Sequence, residues 1–399
     1  MDERTGARTR TGRMAALLAA VAVAATVPVA PATGHAASAE ALTEERTVEG
    51  GIVVEAEDGG RIVVDRERAY RGGLLLHTDG QLVNDVAIED YVAGIAEMPS
   101  RWPMEALKAQ AVAARTYAWW HAQRSDGART DLCATTACQV YHGVEPVEEG
   151  GERWERAVAA TAGEVLIADG SPLLARYFST SGGRTFDNAE VFPSTGEQPG
   201  LKGIDDPDDA VSPYHLWSAR FERELFDELL ARGERLAAAV PVDTVERRGG
   251  IDDPSARIVV TSVDGTEVVV GAGELRDLLS RVAPDARPDR YPGPAADGLR
   301  RLPSTVPTAR YDIAIDDGEV VLEGRGWGHG VGMSQYGARG RAASGDSYRE
   351  ILAAYYDGAV PTQSQHLPER IRVDLGVAEG LTIGSDRPMT VDRSASAGG

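Results

Sequence analysis

Cysteine is scarce in this sequence: Cys133 and Cys138, in TDLCATTACQVYHG, are the only two in 399 residues. A dense disulfide framework is therefore excluded, and a single pair with four residues between its members remains. On the exported side of a membrane two such thiols can close a small disulfide loop. Two other readings stay open: half of a zinc site, or a thiol nucleophile served by a distant histidine such as His329. Zinc would need two further ligands, and His142 is the only histidine within ten residues. Positive charge is also short, with 41 Lys and Arg against 62 Asp and Glu and a formal net charge of −21. That balance argues against a nucleic-acid partner or an anionic membrane surface, both of which attract clustered Lys and Arg. Past residue 30 no stretch approaches the ~20 apolar residues of a membrane span. Several enzyme signatures are missing too. There is no HExxH or DxDxDG, no GxSxG nucleophile elbow, no GxxxxGK[ST] phosphate loop, and no repeat of fixed period.

What is present is ordinary for a soluble globular protein: 42% apolar and 26% charged residues, in a chain long enough for one large or two ordinary domains. Residues 1–39 differ. Arg4, Arg8, Arg10 and Arg13 precede the apolar run MAALLAAVAVAATVPVA, and small residues follow up to Ala37-Ser38-Ala39, the layout of a secretory signal peptide. A signal anchor is the rival, but the run is Ala-rich and broken by Pro28. Cleavage after Ala39 would remove four positive and two negative side chains and leave a net charge of −23. The protein is thus expected to be secreted.

An acidic lead over 40–50 gives way to alternating runs, GIVVEAE, RIVVDRE, GGLLLHTDG and QLVNDVAI, which read as strands separated by Gly and Asp turns. Pro103 then opens a helix running to about Arg124, with Met104, Leu107, Ala111, Ala114 and Ala118 on one stripe and Arg115 at its edge, aimed toward a core or cleft. Further on, FERELFDELLARGERLAAAV reads as one helix, RIVVTSVDG and TEVVVGAG as a hairpin, and PDARPDRYPGPAADG as a loop. Strands YDIAI and EVVLEG, a glycine-rich run and the helix SYREILAAYYDG close the block 51–361. Residues 362–399 read as a short hairpin-like extension, IRVDLGVAEGLTIG, with a disordered tail. Strands and helices mix without a regular βαβ alternation, so the expected class is α+β.

Three stretches could carry chemistry. Glu97 in IAEMPSRW is flanked by Ile95, Ala96, Met98 and Pro99. Lost solvation there would raise its pKa and keep a proton available near neutral pH, as a general acid at a glycosidic oxygen requires. A structural glutamate that caps a backbone N–H or pairs with an arginine remains the alternative. In GRGWGHGVGMSQYGARG (324–340), dense glycine lets the backbone approach a ligand, and Trp327, His329, Ser334, Gln335 and Tyr336 offer stacking and hydrogen bonds suited to a sugar. In YFSTSGGRT (177–185), the turn at Ser181, Gly182 and Gly183 could present hydroxyls and N–H groups to a ligand.

Together, EDYVAGIAEMPSRWPMEALKAQAVAARTYA, LCATTACQVYHG, RYFSTSGGRTFDNAEVF and GRGWGHGVGMSQYGARGRAASGDSYREILAAYYDGA resemble, in order and spacing, the stage II sporulation protein D (SpoIID) and amidase-enhancer (LytB-type) proteins of the bacterial envelope. The likeness covers roughly residues 50–360. It implies a lytic transglycosylase acting on peptidoglycan glycan strands, best on those stripped of stem peptides, with Glu97 as catalytic acid and Arg115 as an arginine needed for activity, positioning Glu97 or binding a lactyl or acetamido group. The amidase-enhancer name implies the rival, a non-catalytic module that binds peptidoglycan and stimulates a cell-wall amidase. Two departures stand out. Family members often carry His before the second cysteine, and some hold zinc in this region; Ala137 here favours the disulfide and no cofactor. An aromatic residue before a later Leu is replaced by Gly200 in QPGLKGIDD, which implies a lost substrate contact.

Overall fold

The computed structural model describes residues 44–48, 51–148, 150–286, 306–378 and 381–393. The segment read as a signal peptide, most of the Pro/Gly loop and the last residues of the tail lie outside these described residues. Within them the fold is α+β. Its centre is the helix Met104–Ala122, in which every residue from Ala106 to Trp119 except Lys108 is buried. The expected stripe is therefore one side of a helix covered all round. Its alanines let four other helices, Ile88–Ala93, Glu152–Ala160, Gln335–Ser344 and Tyr348–Tyr355, pack closely against it.

A six-stranded sheet runs in the order Met389–Arg393, Ile52–Ala56, Gly73–Leu76, Gln81–Ala87, Arg370–Val377 and Leu132–Cys133. A four-stranded sheet runs Glu44–Val48, Leu381–Ser385, Ile62–Val64 and Arg68–Tyr70. Period-2 patterning explains the strands: Val54, Leu74, Leu76 and Val86 are buried in the same core as the central helix.

Three expectations change. The segment 362–399 is no appendage. Arg370–Val377 pairs antiparallel with Gln81–Ala87 and parallel with Leu132–Cys133, while Leu381–Ser385 joins the other sheet, so the two do not form a hairpin. Ile371 and Val373 point into the main core, and Arg370 and Arg372 pair outward with Asp85 and Asp131. Second, the block 51–361 contains two hydrophobic cores. The second is built from two three-stranded sheets, Leu216–Glu222 with Glu319–Arg325 and Tyr311–Asp316, and Val242–Arg248 with Arg257–Ser262 and Glu267–Gly271, packed with the helices Arg223–Leu230 and Ala272–Ala286. Third, the single helix expected over 221–240 is a strand end, the helix Arg223–Leu230 and a 3-10 turn, Leu236–Ala239, because the chain turns at Arg232 and Gly233.

Candidate active site

Glu97 follows the short helix Ile88–Ala93 and precedes the central one. The chain there is tied laterally to 139–141: Ala96 N–H donates to the Val140 carbonyl (3.0 Å), and Ile95 bridges Tyr141. The return bond reaches the side chain, since Val140 N–H donates to Glu97 Oε1 at 2.8 Å. Glu97 Oε2 is buried without a hydrogen bond of good geometry, although the Tyr177 hydroxyl lies close enough to favour the ionised form. Desolvation outweighs these two bonds and the charge of His142, and lifts the Glu97 pKa from 4.5 to about 7.

Tyr177 is itself oriented. The fully buried Gln139 donates from Nε2 to the Tyr177 hydroxyl (2.8 Å) and to the Ala114 carbonyl (3.4 Å), while its Oε1 accepts from the Tyr91 hydroxyl (2.8 Å). Because the Ala114 carbonyl can only accept, the amide nitrogen must face that side. The Tyr177 oxygen therefore accepts a hydrogen bond from Gln139 Nε2 and keeps its own O–H for Glu97. The disulfide Cys133–Cys138, with Cα atoms 5.5 Å apart, closes the loop immediately before Gln139 and Val140. Both sulfurs are used in that bond.

Arg115 does not join Glu97. Its guanidinium is fully buried and makes a two-pronged bond to Glu89 (2.9 and 2.6 Å), with further bonds to the carbonyls of Glu164 and Val158. Helical geometry is the reason. Tyr117, which lies within electrostatic reach of Glu97, is about 160° around the helix from Arg115. Arg115 thus clamps the first helix and the 158–164 turn to the central helix.

The two other expected ligand-facing stretches are largely directed inward, onto one carboxylate. Asp209 is fully buried and accepts from Ser181 N–H (2.9 Å), Gly182 N–H (2.9 Å), Ser334 Oγ (2.8 Å) and His215 Nδ1 (3.1 Å). Ser181 Oγ accepts from Gly183 N–H, and Ser334 caps the helix Gln335–Ser344 through Gly337 N–H. These groups hold the YFSTSGG turn to the glycine loop instead of reaching outward. His329 is likewise satisfied: Nε2 donates to the Tyr177 carbonyl (3.0 Å) and Nδ1 accepts from Val331 N–H (3.1 Å). Burial, then the charge of Arg176, lowers its pKa to about 3 and keeps it neutral. Trp327 packs edge-on against Tyr214 and Tyr336 against Trp102, and both, like Gln335, are under a tenth exposed. The glycines serve backbone-to-backbone approach: at Gly332 (φ +78°) a Cβ would lie 2.0 Å from the Arg176 carbonyl oxygen. At Gly200 (φ +75°) it would lie 2.9 Å from a Leu173 methyl, so an aromatic side chain there would need repacking.

Five residues that the sequence reading passed over shape this site: Tyr91, Gln139, Val140, Arg176 and Tyr177. Tyr177 stood in a quoted stretch whose serines drew the attention, and Gln139 directly follows a cysteine. A buried polar residue beside a fixed loop was the available signal.

The profile of the stage II sporulation protein family matches residues 77–167, the segment that carries Glu97, Arg115, the disulfide and Gln139. Stage II sporulation protein D of Bacillus amyloliquefaciens is 31% identical over 295 residues, 70% of this chain and 76% of that protein. This chain belongs to the SpoIID family. An uncharacterized protein of Brachyspira hyodysenteriae is 34% identical over 77% of this chain and 75% of its own length. The amidase enhancer of Bacillus subtilis is 31% identical over 67% of this chain, which spans 39% of that longer protein. As a SpoIID-family chain, it has its Glu97 and disulfide inside the profile match, whereas Tyr177 and the 324–340 loop lie beyond it.

Proposed function

We propose that the protein is a secreted peptidoglycan lytic transglycosylase that cuts glycan strands, preferably ones freed of stem peptides, during the cell-wall remodelling of sporulation. The observation that carries this reading is the Glu97 carboxyl: desolvated, short of one hydrogen bond, and raised to about 7. Near neutral pH it is poised to exchange a proton. In the first half of the reaction the Glu97 proton goes to the glycosidic oxygen as the bond from C1 of N-acetylmuramic acid breaks. In the second, the Glu97 carboxylate takes the proton of the same sugar's C6 hydroxyl, whose oxygen bonds to C1 and closes a 1,6-anhydro ring. Water is not consumed, so the second carboxylate of a hydrolytic glycosidase has no task. Consistent with this, the groups that act on Glu97 among the described residues include no other carboxylate. Tyr177 and Val140 N–H stabilise the carboxylate between the two halves.

The likeness to an amidase enhancer favours a second reading, a module that binds peptidoglycan and stimulates a cell-wall amidase without cutting. Digestion of purified peptide-free glycan by the protein and by Glu97→Gln, read by mass spectrometry, separates the two. The transglycosylase reading expects anhydro-ended fragments from the unaltered protein and a loss of about 100-fold to 10,000-fold in Glu97→Gln. No fragments from either, with amidase stimulation intact in both, would establish the enhancer.

A further inference from the structure

Among the described residues, Arg176 is a cation without a counter-ion. Its guanidinium lies 4.0 Å over the Phe192 ring, half-buried, with Nε enclosed and bonded to nothing. Among the described residues no carboxylate pairs with it. Two more deeply enclosed arginines differ: Arg115 has Glu89 and Arg310 has Asp252. A partly desolvated charge left unpaired is costly unless something completes it.

The position is rigid. The Arg176 carbonyl accepts from Met333 N–H (3.1 Å) and from the Tyr356 hydroxyl (2.8 Å), so the backbone is fixed from two sides. His121 and His329 beside it are both held neutral by burial and by the Arg176 charge, so neither adds a second positive charge next to the guanidinium. Two tyrosines link this position to Glu97. The residue after Arg176 is Tyr177, which touches Glu97, and Tyr117 lies within electrostatic reach of both Arg176 and Glu97.

We propose that Arg176 binds the free lactyl carboxylate of N-acetylmuramic acid, and so distinguishes strands stripped of stem peptide from strands that still carry it. This rests on the glycan-cutting reading above. While a stem peptide is attached, the lactyl carboxyl is a neutral amide; once the peptide is removed it is an anion. A guanidinium fork matches a carboxylate in two parallel hydrogen bonds and has no comparable match in an amide. The Phe192 ring beneath holds the guanidinium plane for that contact.

The test measures binding of two preparations of one peptide-free glycan, its lactyl carboxylates free in the first and converted to methylamides in the second. Both are titrated against the unaltered protein, Arg176→Gln and Arg176→Lys, with melting curves as a check on folding. The unaltered protein should favour the free carboxylate by about 10-fold to 100-fold. In Arg176→Gln that ratio should fall to near one, and Arg176→Lys should recover part of it. Equal binding of both glycans by the unaltered protein, or an undiminished ratio in Arg176→Gln, overturns the assignment while leaving the glycan-cutting reading intact. If the unaltered protein binds neither glycan, that reading falls and this assignment with it.

Discussion

Glu97 and Asp209 are both carboxylates taken out of water, and they have opposite surroundings. Asp209 receives four donors from three segments of the chain and is sealed. Glu97 receives one bond of good geometry at Oε1, keeps Oε2 unbonded, and remains partly exposed as a residue. The first arrangement uses the carboxylate to tie the YFSTSGG turn to the glycine loop. The second leaves the acid form competitive, on a residue that is itself partly exposed. Asp206 is an instructive middle case: its Oδ2 is also unbonded and burial lifts it to about 6, but it is fully enclosed and Tyr355 donates to its other oxygen. Under-bonding marks a reactive acid only where substrate can arrive.

Exchanging the two carboxylates for neutral residues should therefore give opposite results. Asp209→Ala strands four donors and should cost about 3–5 kcal/mol in urea unfolding. Glu97→Gln removes a charge that the folded state disfavours. Its folded pKa lies above the ordinary 4.5, so the stability Glu97 lends is complete below 4.5 and is lost as pH rises through about 7. Glu97→Gln should thus match the unaltered protein at pH 4 and exceed it at pH 8, by at most about 3 kcal/mol. A variant that is less stable at pH 8 would contradict the desolvation account.

The disulfide is expected to matter next. It closes the loop that ends just before Gln139 and Val140, and Cys133→Ser with Cys138→Ser should lose about 2 kcal/mol of stability and a few-fold in glycan cleavage. Equal activity with and without the bond would separate the loop from the site. The smallest effect belongs to Tyr177→Phe. Removing a donor to the carboxylate favours the acid, so the alkaline limb of the pH–rate profile should move to higher pH, with a modest fall in rate. A shift to lower pH would mean that Tyr177 does not act on Glu97.

Much of this was legible in the sequence. Alternating Val and Leu marked the early strands, and Pro103 marked the start of the central helix to within one residue. The apolar neighbours of Glu97 foretold its desolvation. What failed depended on long-range contacts. Arg115 is aimed toward the core, as its place at the edge of the stripe implies, but nothing local shows that Glu89 and not Glu97 is its partner. Ser181 and Ser334 read as ligand groups because nothing local shows that Asp209, in an acidic loop, would collect them. The strand Arg370–Val377 looked peripheral because its partners lie nearly 300 residues earlier, at Gln81–Ala87.

The central claim is that the fold holds Glu97 as an acid near neutrality. It is tested most directly by titrating the side-chain carboxyl carbon in protein labelled with carbon-13 at glutamate, with Glu97→Gln used to assign the resonance. A midpoint near 7 is expected. A midpoint at or below the ordinary 4.5 would mean that its hydrogen bonds outweigh its burial, and would remove the basis for Glu97 as the proton donor.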